Sequence, residues 1–141
     1  MCYFEIKDLR DRDLRILRNE IPNSPGVYKW WCCEELLKTI LKGLDLDFAE
    51  CKKHIENIPN LVILKVDKNS IVHKHINNDV FYCVYVGDTA QLRRRIISNH
   101  IVGNIRGSTL RKTICAVLVG CVNEDMVNKI QDDMIIEITE F

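Results

Sequence analysis

The sequence predicts an α/β fold of the α+β kind, a small antiparallel sheet of about three or more strands flanked by helices. Two observations carry this. Runs rich in β-branched and aromatic residues follow one another at 61–66, 71–76 and 80–86 with turn residues between them, and strands joined that closely pair antiparallel. Around them lie segments of helical spacing bracketed by start and stop signals. At 141 residues the chain can bury one core but not two independent ones, so a single domain spanning 1–141 is expected.

Taken in order, Lys7 to Asn19 spaces Leu9, Leu14, Ile16 and Leu17 loosely on one helical side, which predicts a surface helix. Ile21-Pro22-Asn23-Ser24-Pro25 ends it, because proline cannot continue a helix and pushes its predecessor toward extended backbone. Gly26 to Cys32 is aromatic and β-branched and reads as a strand. Glu34 to Lys42 has acids in its first turn, lysine in its last and Gly43 just beyond, as a helix should. Asp45 or Asp47 can cap a second helix that Pro59 closes. Leu61 to Val66 and Ile71 to Ile76 are expected to form a hairpin, and Val80 to Val86 resumes the strand pattern after Asn77-Asn78-Asp79. Gln91 to Ile101 is helical in pattern until Gly103 and Gly107. Ser108 can cap another helix, with Leu110, Ile114, Val117 and Leu118 at helical spacing. Residues 134–141 alternate apolar and polar over much of their length and predict a final strand.

The hydrophobic share of 47% and charged share of 28% are those of a soluble globular chain. No apolar run approaches a bilayer span and no basic, apolar leader opens the chain, so a cytoplasmic protein without membrane contact is expected. Seven cysteines with no C-x-x-C pair read as reduced thiols, several of them core-filling. Net charge is zero, yet its distribution is uneven. No acid occurs from Thr89 through Asn123, where Arg93, Arg94, Arg95, Arg106, Arg111 and Lys112 cluster, and the sign reverses from Glu124 onward.

Two tripeptides point to a specific chemistry: Gly26-Val27-Tyr28 and Tyr85-Val86-Gly87, the second followed at once by the arginine-rich helical stretch. Tyrosines on two strands with arginines just downstream are a way to build a phosphodiester-cleaving site. Pro25-Gly26-Val27-Tyr28 and Val84-Tyr85-Val86-Gly87-Asp88-Thr89-Ala90-Gln91-Leu92-Arg93-Arg94-Arg95 resemble the GIY-YIG nuclease family. The stretches IPNSPGVYKWW and RGSTLRKTICAVL resemble a bacterial subgroup of it. The likeness covers Ile21 to Phe141 apart from residues 33 to 80. Compact members join the two motif strands by a short hairpin, so residues 29–84 are expected to hold a long insertion.

The resemblance implies hydrolysis of DNA phosphodiesters with one Mg²⁺ or Mn²⁺ ion and no small organic cofactor. Tyr28 and Tyr85 match the family tyrosines, one helping to deprotonate the attacking water and the other holding water or phosphate. A free phenol has a pKa of about 10, so a tyrosine base needs a neighbouring cation. The family arginine falls ten residues after Tyr85, on Arg95, whose planar fork suits phosphate oxygens. Many members carry a histidine one helical turn further; here His100 stands five residues on, which a regular α-helix would turn roughly 140° away from Arg95.

Arg93 and Arg94 read either as phosphate contacts or as solvated surface charge, while Arg106, Arg111 and Lys112 are expected on DNA phosphates. The family's metal-binding glutamate follows its third strand, where this sequence stops. A C-terminally truncated piece or a lost glutamate is therefore expected, with Glu137 and Glu140 as weak substitutes facing solvent. Asp88 replaces a lysine common after the second tripeptide. His73 and His75 share a strand face without a third ligand nearby and read as surface histidines, and Trp30-Trp31 as one buried and one partly exposed residue. The resemblance thus implies a DNA endonuclease. The alternative is a non-catalytic nucleic-acid-binding or protein-interaction module that keeps the fold without the metal ligand.

Overall fold

In a computed structural model of the chain, residues 2–43, 72–101, 111 and 123–141 are described. They form a five-stranded, wholly antiparallel sheet in the order β1-β5-β2-β4-β3, with β1 at Cys2–Glu5, β2 at Gly26–Cys33, β3 at His73–Ile76, β4 at Asp79–Thr89 and β5 at Ile135–Glu140. The helices are α1 at Ile6–Arg10, a 3₁₀ segment α2 at Arg12–Glu20, α3 at Glu34–Gly43, α4 at Arg94–Ile101 and α5 at Glu124–Asp132. None among the described residues is long and apolar enough to cross a membrane. The helix expected over 48–58 and the strand expected over 61–66 lie outside the described residues.

β2 is central, and its alternation splits the core. Tyr28, Trp30 and Cys32 face the main cluster with Tyr82, Val84, Tyr85, Ile136 and Ile138, under Leu9, Leu37, Leu92, Ile96 and Val127 from the helices. Trp31 faces the other way with Cys83, Val86 and Ile135. Both tryptophans are therefore buried, one on each side, rather than one being partly exposed. The far side is closed by Lys74, whose Nζ donates to Glu137 Oε1 (2.8 Å) and Tyr3 Oη (2.5 Å) and sits 4.5 Å from the Trp31 ring centre. Glu137 also accepts from Trp31 Nε1 (3.1 Å), so it is buried and paired instead of solvated.

Local chemistry explains the element ends. Asn77 and Asn78 both take left-handed backbone (φ 53° and 72°), the two-residue turn that fits strand twist and that asparagine tolerates, so β3 pairs β4 as a tight hairpin. The single helix expected over 7–19 is two pieces. Asp11 is extended at ψ 121°, and Arg18 reaches back to the Leu9 and Arg10 carbonyls at 2.6 and 3.3 Å, supplying the donors a continuing helix would have given. β1 and α5 were not anticipated. α5 does carry a start signal: Asn123 Oδ1 accepts from Met126 N at 3.1 Å, with Glu124 and Asp125 in the first turn.

Candidate active site

Tyr28 lies mid-strand on β2 opposite Gly87 of β4. A Cβ on Gly87 would collide with Tyr28 Cζ and Oη, so the phenol rests directly on the glycine backbone. Tyr85 pairs with Trp30 and its ring stacks on Tyr28, centres 6.1 Å and planes 26° apart. A bulge places one extra β4 residue opposite the Trp30/Trp31 step. It lets the consecutive Val84 and Tyr85 both join the main core, and so aims Tyr85 at the face that Tyr28 occupies.

The proline-rich loop before β2 docks the helix that follows β4. Leu92 N donates to Ser24 O (3.0 Å), Arg93 N to Pro22 O (3.2 Å) and Arg94 N to Asn23 Oδ1 (3.4 Å), which satisfies the N–H groups a helix start leaves open. Arg93 adds Nε to Ile21 O (2.8 Å) and Nη2 to Asn19 O (3.3 Å). At Gly26 a Cβ would meet Leu92 Cδ1 and Thr139 O, both at 2.5 Å. The glycine of each tripeptide thus allows a close approach, one by the helix and one by the phenol.

α4 is a π-helix. Its hydrogen bonds join residues five apart, which brings Arg95 and His100 onto one side where an α-helix would have separated them. The extra residue in the spacing is absorbed by the wider turn. His100 Nε2 lies 2.8 Å from Tyr28 Oη, and its ring centre is 5.3 Å from Tyr28, 5.6 Å from Tyr85 and 6.2 Å from Trp30. The partly exposed Arg95 guanidinium and the Tyr85 hydroxyl both hydrogen-bond to the same phenol. Arginine only donates, so its bond to the phenol oxygen leaves the phenolic hydrogen for His100 or Tyr85.

Burial dominates the titration of both inner groups. It raises the Tyr28 phenol above its ordinary value, with Tyr85 adding to the rise and Arg95 opposing it without winning. It lowers His100 to about 3, helped by Arg95 and Arg111. Tyr28 and His100 are therefore both neutral at physiological pH, and Arg95 is the permanent charge at the site. Because the unfolded chain protonates His100 near 6.5 and the folded chain does not, stability is fully present above that pH. It is expected to fall as pH drops from about 6.5 toward 3. Thermal melts of wild type and His100→Gln between pH 7.5 and 4.5 check this, the variant showing the shallower decline.

The end of α4 is clamped by a buried polar network absent from the sequence reading. Gln131 Nε2 donates to His100 O (2.9 Å), and Arg10 Nη1 and Arg111 Nη1 to Ile101 O (2.6 and 3.3 Å). Both arginines also bind Asn128 and Gln131, Arg10 closing on Asp132 and Arg111 on Glu124. No spacing rule marks Gln131 or Arg10 in the sequence. Arg111, expected on DNA, is 1% exposed and engaged by protein, so its guanidinium does not face a duplex. Arg111→Ala is expected to cost about 2–3 kcal/mol of stability by stranding those acceptors, measured by urea denaturation, with little change in the salt dependence of DNA binding.

The other predicted residues fall elsewhere. Arg94 is exposed, and Arg106 and Lys112 lie outside the described residues. Glu137 is on the sheet face away from Tyr28. Glu140, in register with Gly26, shares the face of Tyr28 at the strand end, where it is exposed and accepts from Ser24 Oγ at 2.8 Å. His73 and His75 are exposed, and among the described residues no group of three or more His, Cys, Asp or Glu could hold a metal. These residues do not by themselves fit a divalent ion.

An antiparallel sheet carrying stacked tyrosines under an arginine and histidine helix is the frame of a nuclease-type domain. A family model described as the GIY-YIG catalytic domain matches residues 26–133, well over half the chain. The chain belongs to the GIY-YIG family, a family of nucleases. No curated protein and no solved structure matches it.

Proposed function

We propose that the protein is a divalent-metal-dependent DNA endonuclease in which Tyr28, Tyr85, Arg95 and His100 handle the scissile phosphate and the attacking water. The observation that carries this is the Tyr28 phenol oxygen, which has His100 at 2.8 Å and both Arg95 and Tyr85 within reach. In this reading Arg95, the most exposed of the four, meets the phosphate and stabilises the charge that grows on its oxygens. Tyr28 works as a neutral phenol whose oxygen orients water, its angle fixed by His100. Tyr85, stacked on it, holds the second hydroxyl against the same spot. The requirement for Mg²⁺ or Mn²⁺ enters from the family alone, and no step is assigned to the ion. Supercoiled plasmid and branched DNA incubated with Mg²⁺ or Mn²⁺ should be nicked, and EDTA should stop it. Intact DNA under both ions at every protein concentration would sink the reading.

A second reading rests on burial. Tyr28 is 1% and His100 0% exposed, as in a module that keeps the aromatic cluster for packing while binding nucleic acid without cutting it. DNA binding without nicking by any divalent ion would favour it.

A further inference from the structure

Behind the catalytic helix lies a second feature that the tyrosine site does not use. A cavity of about 560 Å³ opens between α2, the loop at Asn23 and the outer side of α4. Its charge is one-sided. Arg18, Arg93 and Arg94 line it and, among the described residues, none that lines it is acidic, in a chain whose acids and bases balance at 20 each. Among the described residues Arg18 and Arg93 bond backbone carbonyls, which fix the guanidinium planes without cancelling their charge. Asn19, Asn23 and Ser98 add neutral donors and acceptors. Ile97 and Ile16, the latter 77% exposed, give an apolar wall.

Cations, amide groups and an apolar wall together suit a phosphate joined to a base. The volume is that of a site for one small ligand, not for a duplex. We propose that this groove is a subsite for a single unpaired nucleotide of the nucleic-acid strand that runs past α4. The proposal rests on the nuclease reading for the identity of the ligand. Arg94 and Arg95 are consecutive on one helix with side chains turned roughly 80–100° apart, so a strand whose phosphate meets Arg95 has to cross the helix edge to set its next unpaired residue in this groove. The protein would then favour DNA with a single-stranded tail or an unstacked base beside the cut.

The test is fluorescence anisotropy, in EDTA, of the full chain with a DNA hairpin bearing a three-nucleotide single-stranded tail and with the same hairpin blunt. The tailed hairpin should bind about tenfold tighter, the order that one well-held base contributes. Ser98→Glu and Ile16→Glu, both at exposed positions, should abolish that preference while leaving affinity for the blunt hairpin within about twofold, because a carboxylate there repels only a phosphate in the groove. Ser98→Lys should restore or enlarge the preference. Equal binding of both hairpins by wild type, or an unchanged preference in both glutamate variants, overturns the proposal. Nicking is scored separately. Nicking with no tail preference removes this subsite alone, whereas tail preference without nicking removes the catalytic reading and leaves the subsite.

Discussion

Arg95→Ala is expected to lower the single-turnover rate of DNA nicking about 100- to 1,000-fold while the protein stays folded, the usual loss when one preorganised donor to a reacting anion is removed. Arg95 is partly exposed and lies at the rim of a site whose inner members, Tyr28 and His100, are buried and neutral, so in the proposed reading it is the charge a phosphate would meet. Arg95→Lys should recover only a small part of the rate, because an ammonium cannot span the Tyr28 oxygen and a phosphate oxygen together as a guanidinium fork does. The same variant carries a signature independent of catalysis. Arg95 is one of two cations that help hold His100 at about 3, so removing it should raise the His100 pKa while burial still keeps it below the ordinary value. An NMR titration of the imidazole reads that shift directly.

Gly87→Ala is expected to cost about 1–3 kcal/mol of stability and most of the nicking activity, although it adds one methyl group to a strand. The added carbon would occupy the place of the Tyr28 ring edge and hydroxyl. Gly87 is paired in register with Tyr28, whose own strand is paired on its other side with Ile138, so the strands resist parting and the phenol swings off its hydrogen bond to His100. The stacking of Tyr28 on Tyr85 goes with it. Chemical denaturation measures the first effect and single-turnover kinetics the second. A double variant with Tyr28→Ala should cost less stability than the two single changes added together, since the clash is gone, and should recover none of the activity. Wild-type kinetics in Gly87→Ala would mean that Tyr28 need not sit over this glycine.

Much of the sheet was legible because strand patterning and turn chemistry are local. Asn77-Asn78 marked a hairpin turn, and Gly26-Val27-Tyr28 and residues 134–141 marked strands that the structure keeps. β1 was not legible: it is four residues long at the sheet edge, and only pairing with β5 defines it. The register of the site was harder. Counting residues on a regular helix turns His100 away from Arg95, and nothing in the sequence between Leu92 and Ile101 announces a π-turn. Its partners are distant carbonyl-binding side chains, Arg10, Arg111 and Gln131, more than a helix away in sequence. Arg111 failed as a surface residue for the same reason. A basic stretch reads as a DNA face until Glu124 and Asn128 are seen to enclose one of its members.

The site's groups converge on the Tyr28 oxygen, and Tyr28→Phe removes that oxygen while leaving the ring packed between Tyr85 and His100. The measurement is the single-turnover nicking rate of folded Tyr28→Phe against wild type at saturating protein. A fall of about 100-fold or more, with an unchanged far-ultraviolet spectrum, is the predicted result. A rate within about threefold of wild type would mean that this oxygen takes no part in the reaction, since groups that contribute to the transition state cost more than that when removed.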